Sequence, residues 1–316
     1  MPERTSGTDG LEAEYRARVM KAVEYIEARL GEPLSLEDAA AEAAWSFFHF
    51  HRVFSAVIGV PPGEYLRMRR LTEGARMLAS GRTGIARIAA SVGFGSVEAF
   101  HRSFKAEFGR TPSEYRRSSS SLALLNPFEP NERPLAHRAP CLAAEPSFER
   151  YGPVRLACAA GDFDLERTSL SQGIRRLWDR WLDTLLSEAG DRSARTYGIA
   201  EPCPGAEGRA IRYFAGVEMR SGEGACPDEA APSAAGLVPY VIPEGEYLRA
   251  LHRGPASRLN ETYLYLYGAW LPRAGRVPGA AMDFDVYDER YDAADPESVL
   301  SEVTFRIPVA PAGSVG

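Results

Sequence analysis

Apolar positions fall at helical spacing through the first third of the chain, and one block of that pattern is written twice. Ser46-Phe47-Phe48-His49-Phe50-His51-Arg52-Val53-Phe54 is followed fifty residues later by Ser96-Val97-Glu98-Ala99-Phe100-His101-Arg102-Ser103-Phe104. The register continues through Gly59/Gly109, Pro62/Pro112, Glu64/Glu114 and Tyr65/Tyr115. Upstream of the serines the offset is forty-nine, pairing Leu36 with Ile85, Ala40 with Ala89, Ala44 with Gly93 and Trp45 with Phe94, so Gly95 is an added residue in the second turn. Each copy predicts a short apolar helix, a tight turn, an N-capping serine and a second helix.

Phe50/Phe54 and Phe100/Phe104 recur four residues apart and predict the inward face of the second helix in each copy. The positions between them then point outward: Phe47, Phe48, His51 and Arg52 in the first copy, Val97, Glu98, His101 and Arg102 in the second. Arginine and histidine reach phosphates and base edges, and an exposed aromatic ring can meet a thymine methyl. One such unit alone would equally fit an ordinary helical hairpin. Two at fixed spacing, joined by Leu66, Leu71, Ala75 and Leu78 on a helix from Pro62 to Ser80, favour a pair of helix-turn-helix units on a rigid linker. A helix of that length spans roughly 25 Å, which expects the two outward helices about one DNA turn apart, near 34 Å.

The run from Ile88 to Arg116, with Ile88-Ala89, Val92-Gly93-Phe94, Ser96, Phe100, Arg102, Phe104-Lys105, Phe108-Gly109, Thr111-Pro112 and Tyr115-Arg116, resembles the signature of the AraC/XylS transcriptional regulators. The resemblance covers about residues 15 to 118. Ala44 stands where the family has its turn glycine, and Phe47 where a proline is common after the serine. It implies an all-α DNA-binding domain over residues 11–118, a double-stranded operator as partner and contact with RNA polymerase.

The net charge of −6 over 316 residues argues weakly against a nucleic-acid partner, but it is an average over unlike parts. Residues 15–118 hold 16 Lys and Arg against 11 Asp and Glu, a net +5, and residues 119–316 a net −8. The basic part is suited to phosphates. With 45% hydrophobic residues the chain can bury two domain cores. It has no apolar run long enough for a membrane span and no signal-peptide core at Met1 to Gly10, so the expectation is a cytoplasmic protein. Cys141, Cys158, Cys203 and Cys226 lack metal-ligand spacing, and free thiols are expected, with no metal and no cofactor. Ser118–Ser121 and the prolines 127, 130, 134, 140 and 146 mark a connector over residues 119–145.

Beyond it the pattern changes. Strand-like Val154 to Ala160 and Gly161 precede a helix through Leu170, Ile174, Leu177, Trp178, Trp181 and Leu185, then strands near 197–200 and 211–219. The order returns as Tyr247 to His252, Gly254, a helix through Leu259, Tyr263, Leu266, Tyr267 and Trp270, then strands near 283–287 and 303–309. A βαββ-like unit used twice predicts an α+β domain, an antiparallel sheet with helices on one face, interrupted by a long insertion at 221–236.

Gly161, Tyr197-Gly198-Ile199, Arg212-Tyr213, Trp270-Leu271-Pro272 and Phe284-Asp285-Val286-Tyr287 look like a GyrI-like effector-binding domain over residues 146–310. Asp285 stands where that family usually has Glu. The resemblance implies a small effector, hydrophobic or cationic, held among Trp178, Tyr213, Trp270, Asp285 and Tyr287. For the aromatics the same spacing fits plain core, and for Asp285 a solvated strand position. Some GyrI-like domains resemble hydrolases, so a hydrolase fused to a DNA-binding domain is the alternative, although no nucleophile elbow, metal cluster or phosphate loop is present. The aspartates at 283, 285, 288 and 292 lack the glycine and terminal glutamate spacing of a calcium loop.

Overall fold

The computed structural model describes residues 6–81, 83–118, 141–164, 170–191, 193–203, 210–219, 236–279 and 281–311. The connector over 119–140, Cys226 and the insertion over 221–235 lie outside the described residues. Two compact units divide the chain, residues 12–135 and, with the first eleven, residues 136–316.

The first unit is helical: α1 (Ser6–Ala28), α2 (Leu36–Glu42), α3 (Phe47–Ile58), α4 (Pro62–Ser80), α5 (Ile85–Ser91), α6 (Val97–Phe108) and α7 (Pro112–Ser118). Both serines cap as their sequence context requires. Ser46 Oγ accepts from the His49 N–H at 3.4 Å and Ser96 Oγ from the Ala99 N–H at 3.1 Å. Gly59 and Gly109 close α3 and α6 in the left-handed region, φ 92° and 69°. Thr111 and Glu114 exchange backbone bonds at the start of α7, a capping box.

α4 holds this unit together. Its Leu71, Ala75 and Leu78 form one core with Ile88, Ala89, Phe100, Phe104 and Tyr115 of the second copy. On the first copy's side Tyr65 meets Phe54 edge-on at 5.6 Å. Arg69, 3% exposed, grips both oxygens of Glu27 on α1 at 2.7 and 2.8 Å, and the Tyr65 hydroxyl donates to the same carboxylate at 2.8 Å. Arg70 donates to the carbonyls of Leu30 and Glu32 at 2.9 and 2.8 Å.

The two turns solve the same bend differently. Gly93 has φ 77°, and a Cβ there would lie 2.7 Å from the Arg70 guanidinium and from the Leu30 carbonyl. Its counterpart Ala44 is also left-handed, φ 54°, among the described residues the one non-glycine with positive φ.

The second unit is a nine-stranded antiparallel sheet with its helices on one face. Its strands are β1 (Ser147–Tyr151), β2 (Val154–Asp164), β3 (Thr196–Pro202), β4 (Ala210–Glu218), β5 (Val238–Ile242), β6 (Gly245–Arg253), β7 (Arg276–Pro278), β8 (Phe284–Tyr287) and β9 (Glu302–Pro311). α8 (Leu170–Glu188) follows β2, and α9 (Leu259–Tyr265) follows β6, running on through a π turn Leu266–Trp270 and a last turn Leu271–Arg273. The order β1-β6-β9-β8-β3-β4-β2-β5, with β7 on β9, is two βαββ units meeting through their second strands. The sequence pattern finds six of these strands. It misses β1, β5 and β7, which are short and partly polar.

Those short strands decide the shape. β1 and β2 are two residues apart in sequence, yet β1 ends the sheet order on one side and β2 is next to last on the other, and β5 and β6 are split in the same way. The sheet must therefore curl until its two ends meet. The corners touch: a Cβ on Gly152, φ 84°, would lie 2.6 Å from the Pro243 carbonyl oxygen. Inside the curl sit Leu156, Cys158, Tyr197, Ile199, Phe214, Ile242, Tyr247 and Phe284. Alternate residues of the same strands, Ala157, Ala159, Tyr213 and Ala215, are small or polar-tipped and receive α8.

A left-handed alanine costs about 1–2 kcal/mol. Ala44→Gly therefore raises stability by roughly 0.5–1 kcal/mol after the extra freedom of the unfolded glycine is deducted. Gly93→Ala lowers it by more than the reverse change gains, because its methyl meets Arg70 and Leu30. Thermal unfolding of the two variants checks both signs.

Candidate functional sites

The outward helices differ more than the repeat implies. α6 buries Phe100 and Phe104 and exposes Glu98 and Arg102, with Val97 and His101 half-buried. Val97 also packs against the core beneath. α3 buries nine of its twelve residues, among them Phe48 and His49. Phe48 is thus a correction to the expected outward set: its ring is 7% exposed and lies under the Arg52 guanidinium at 5.3 Å. Arg52 stands four residues on, on the same face of the helix, and its side chain covers the ring there. Phe47, His51 and Arg52 remain half-exposed.

His51 is not a cation here. Burial first, and the neighbouring Arg52 charge second, push both His49 and His51 down to about 4. His51 can offer a hydrogen bond to DNA but no charge at neutral pH.

In the sheet unit Asp285 of β8 lies directly opposite Gly198 of β3, where the two halves meet on the face that carries the helices. Its carboxylate accepts from the Tyr263 hydroxyl at 2.6 Å and the Tyr287 hydroxyl at 3.3 Å. Two residues earlier the buried Asp283 accepts from Tyr267 at 3.0 Å. Four helical residues rise about 6 Å and two strand residues about 6.6 Å, so tyrosines four apart on a helix match aspartates two apart on a strand. This double rung ties α9 to β8. Sequence reading places Tyr263 in the core and misses its bond to Asp285, although the matched spacings are visible in the chain.

Opposite, Trp178 of α8 donates to the Tyr213 hydroxyl at 3.3 Å and packs edge-on against Tyr287 at 5.8 Å. Tyr291 joins the group at 4.8 Å from Tyr287. Gly198 is what admits the Tyr213 phenol, since a Cβ there would fall 2.1 Å from its oxygen. Burial, and then nearby negative charge including that of Asp285, raise the Tyr213 and Tyr287 phenols above their ordinary value, so both stay neutral donors. Of the five expected effector residues, Trp178, Tyr213, Asp285 and Tyr287 come together.

Trp270 does not join them. Its indole N–H donates to Glu145 at 3.0 Å and its ring lies 5.3 Å from Phe148. The π turn is the reason: the Leu271 N–H bonds back to the Leu266 carbonyl, one residue beyond an α-helical bond, which rotates Trp270 off the face of Tyr263 and Tyr267. Among the described residues no group of His, Cys, Asp or Glu could hold a metal ion, and no helix is long and apolar enough to cross a membrane.

Residues 144–308, just over half the chain, match the family model of the GyrI-like small molecule binding domain. The chain belongs to that family. Residues 39–118 match a helix-turn-helix domain model, ahead of the GyrI-like part. Along 90% of its length the chain is 24% identical to the transcriptional regulator Rob of Salmonella typhimurium, covering 95% of it. Along 85% it is 26% identical to the right origin-binding protein of Escherichia coli K12, covering 89% of that protein. Over 106 residues, a third of the chain and 78% of the relative, it is 39% identical to the transcriptional activator AarP of Providencia stuartii. The protein is an AraC-type DNA-binding transcriptional regulator with a GyrI-like small-molecule-binding domain. The hydrolase alternative gains no support from these relatives.

The two histidines give a pH dependence. A folded value near 4 against about 6.5 unfolded means that their contribution to stability is complete above about pH 6.5 and is lost as pH falls toward 4. The helical melting transition is expected at lower temperature at about pH 5 than at about pH 7. His49→Phe should flatten the dependence, and equal shifts in wild type and variant would contradict it.

Proposed function

We propose that the Asp285 cluster is the effector site of this regulator and that it takes a hydrophobic cation, with Trp178, Tyr213 and Tyr287 beside it. The carrying observation is a half-buried carboxylate that accepts from two phenols, one of them packed against the Trp178 ring. A cation beside aromatic rings gains about 0.5–2 kcal/mol from their faces, and the acidic balance of residues 119–316 favours its approach. Occupation of this cluster bears on both α8 and β8, because Trp178 and Asp285 belong to different halves of the sheet unit. The effector is thus placed to alter DNA affinity or a contact with RNA polymerase. The polymerase contact is motivated by AarP being a transcriptional activator, and a DNA partner supports reading the protein as cytoplasmic.

On the DNA side we assign Phe47, His51, Arg52, Val97, Glu98, His101 and Arg102 to the operator. Arg102 is exposed on a helix capped at its first turn by Ser96, which suits it for a guanine. Arg52 is half-exposed over Phe48 and is assigned to a base or phosphate at the other half-site.

Two measurements test these assignments. Arg102→Ala in the full chain should weaken a selected operator by about 1–3 kcal/mol while leaving random DNA nearly unchanged. A uniform loss on all sequences would make Arg102 a phosphate contact. For the effector, calorimetry on Asp285→Asn with a lipophilic cation and a neutral analogue of equal shape should show a loss on the order of 2–5 kcal/mol for the cation and much less for the analogue. Equal losses, or none, would move the cation's partner elsewhere.

A further inference from the structure

Resting on the DNA-reading assignment above, we propose that Glu98 is the residue that fixes a cytosine in the operator, with Arg102 reading a guanine within two base steps of it. Glu98 is the second residue of α6, exposed on a helix whose other outward groups are His101, Arg102 and Lys105. It has no hydrogen-bond or ion-pair partner among the described residues, even though Arg102 stands four residues on, the spacing at which such a pair forms on a helix surface. The corresponding residue of the first copy, Phe48, is buried. An uncommitted carboxylate is therefore specific to the second helix.

A carboxylate facing DNA is unfavourable against phosphates and against every acceptor in the groove. In the major groove it can be satisfied only by an exocyclic amino group, the N4 of cytosine or the N6 of adenine. Adenine sets its N7 acceptor beside that amino group, so the second carboxylate oxygen is repelled there. Cytosine has no acceptor in that place. Guanine and thymine present acceptors and are rejected, so Glu98 discriminates by repulsion as well as attraction. The rise of four helical residues, about 6 Å, is under two base steps of about 3.4 Å each, which puts the guanine for Arg102 next to or one step from the cytosine.

A bland role is available, since an acid in the first turn of a helix is favoured by the helix dipole. Operator selection separates the two. The full chain, Glu98→Gln and Glu98→Ala are each enriched on random duplexes, and the consensus sequences compared. Enrichment of any specific operator by the wild type tests the DNA-binding reading by itself. Given that operator, the wild type should show one invariant cytosine. Glu98→Gln should shift that position toward adenine, which glutamine pairs bidentately, and Glu98→Ala should leave it degenerate with the other positions unchanged. Replacing the cytosine by 2-pyrimidinone, which lacks the amino group, should weaken wild type roughly ten- to a hundredfold and Glu98→Ala hardly at all. An unchanged consensus in both variants, or a uniform gain in affinity on all sequences, overturns the proposal and reduces Glu98 to a helix-dipole residue that repels phosphates. Melting temperatures of the variants, expected within a few degrees of wild type, guard against misreading a folding defect.

Discussion

Arg69 lies almost wholly inside the helical unit, its fork met by both oxygens of Glu27, with the Tyr65 hydroxyl on the same carboxylate. Loss of one partner from a pair of this kind typically costs about 3–5 kcal/mol, because the remaining charge stays buried. The position of that pair matters more than its energy. It joins α1 to α4, and the next residue, Arg70, carries the bond on to the carbonyls after α1. Those carbonyls then touch the second copy: Leu30 O faces Gly93, and a Cβ on Gly31 would lie 2.5 Å from the Ser91 carbonyl. Two helix-turn-helix units read adjacent grooves only if their spacing is fixed. Here one turn of α4 fixes it by holding the end of α1 against the second unit's turn.

The sheet unit meets the same problem in another form. Two βαββ halves are joined along β3 and β8 by ladder bonds, and Tyr213, Tyr263 and Tyr287 meet over that seam on the helix face. Gly198 admits the Tyr213 phenol there and Asp285 puts a charge beside it. The halves are also tied at the rim, where β1 completes the edge of the second half and β5 that of the first. Each half thus lends a strand to the other. The curl this exchange imposes buries Tyr197, Tyr247 and Phe284 on the far face, so the helix face is free to carry polar chemistry.

Much of this was legible in the chain because duplication doubles every signal. A serine that caps once and again fifty residues later, or a phenylalanine pair that repeats in register, fixes elements that a single occurrence would leave open. The six strands of the two βαββ units were readable for the same reason. β1, β5 and β7 were not, because their stability comes from pairing with distant strands rather than from any local pattern. Trp270 was misplaced by a π turn that leaves no trace in apolar spacing. Phe48 was misplaced because periodicity assigns a residue to a face but does not foresee that Arg52, four residues on, lies over its ring there.

The places where the copies disagree then acquire meaning. Equivalent positions that serve only the fold keep their chemistry, as Ser46/Ser96, Phe50/Phe100, Phe54/Phe104 and Gly59/Gly109 do. Ala44 for Gly93 keeps the bend and accepts strain for it. Phe48 against Glu98 is a different case, since a buried ring and an exposed acid cannot serve one packing role. Gly198 against Asp285 is of the same type: two residues facing each other across the join of two similar halves, one with no side chain and one with a charge. An internal two-fold pairing would place like residues there, and two facing carboxylates would repel. The asymmetry leaves a single charge at the join of two similar halves.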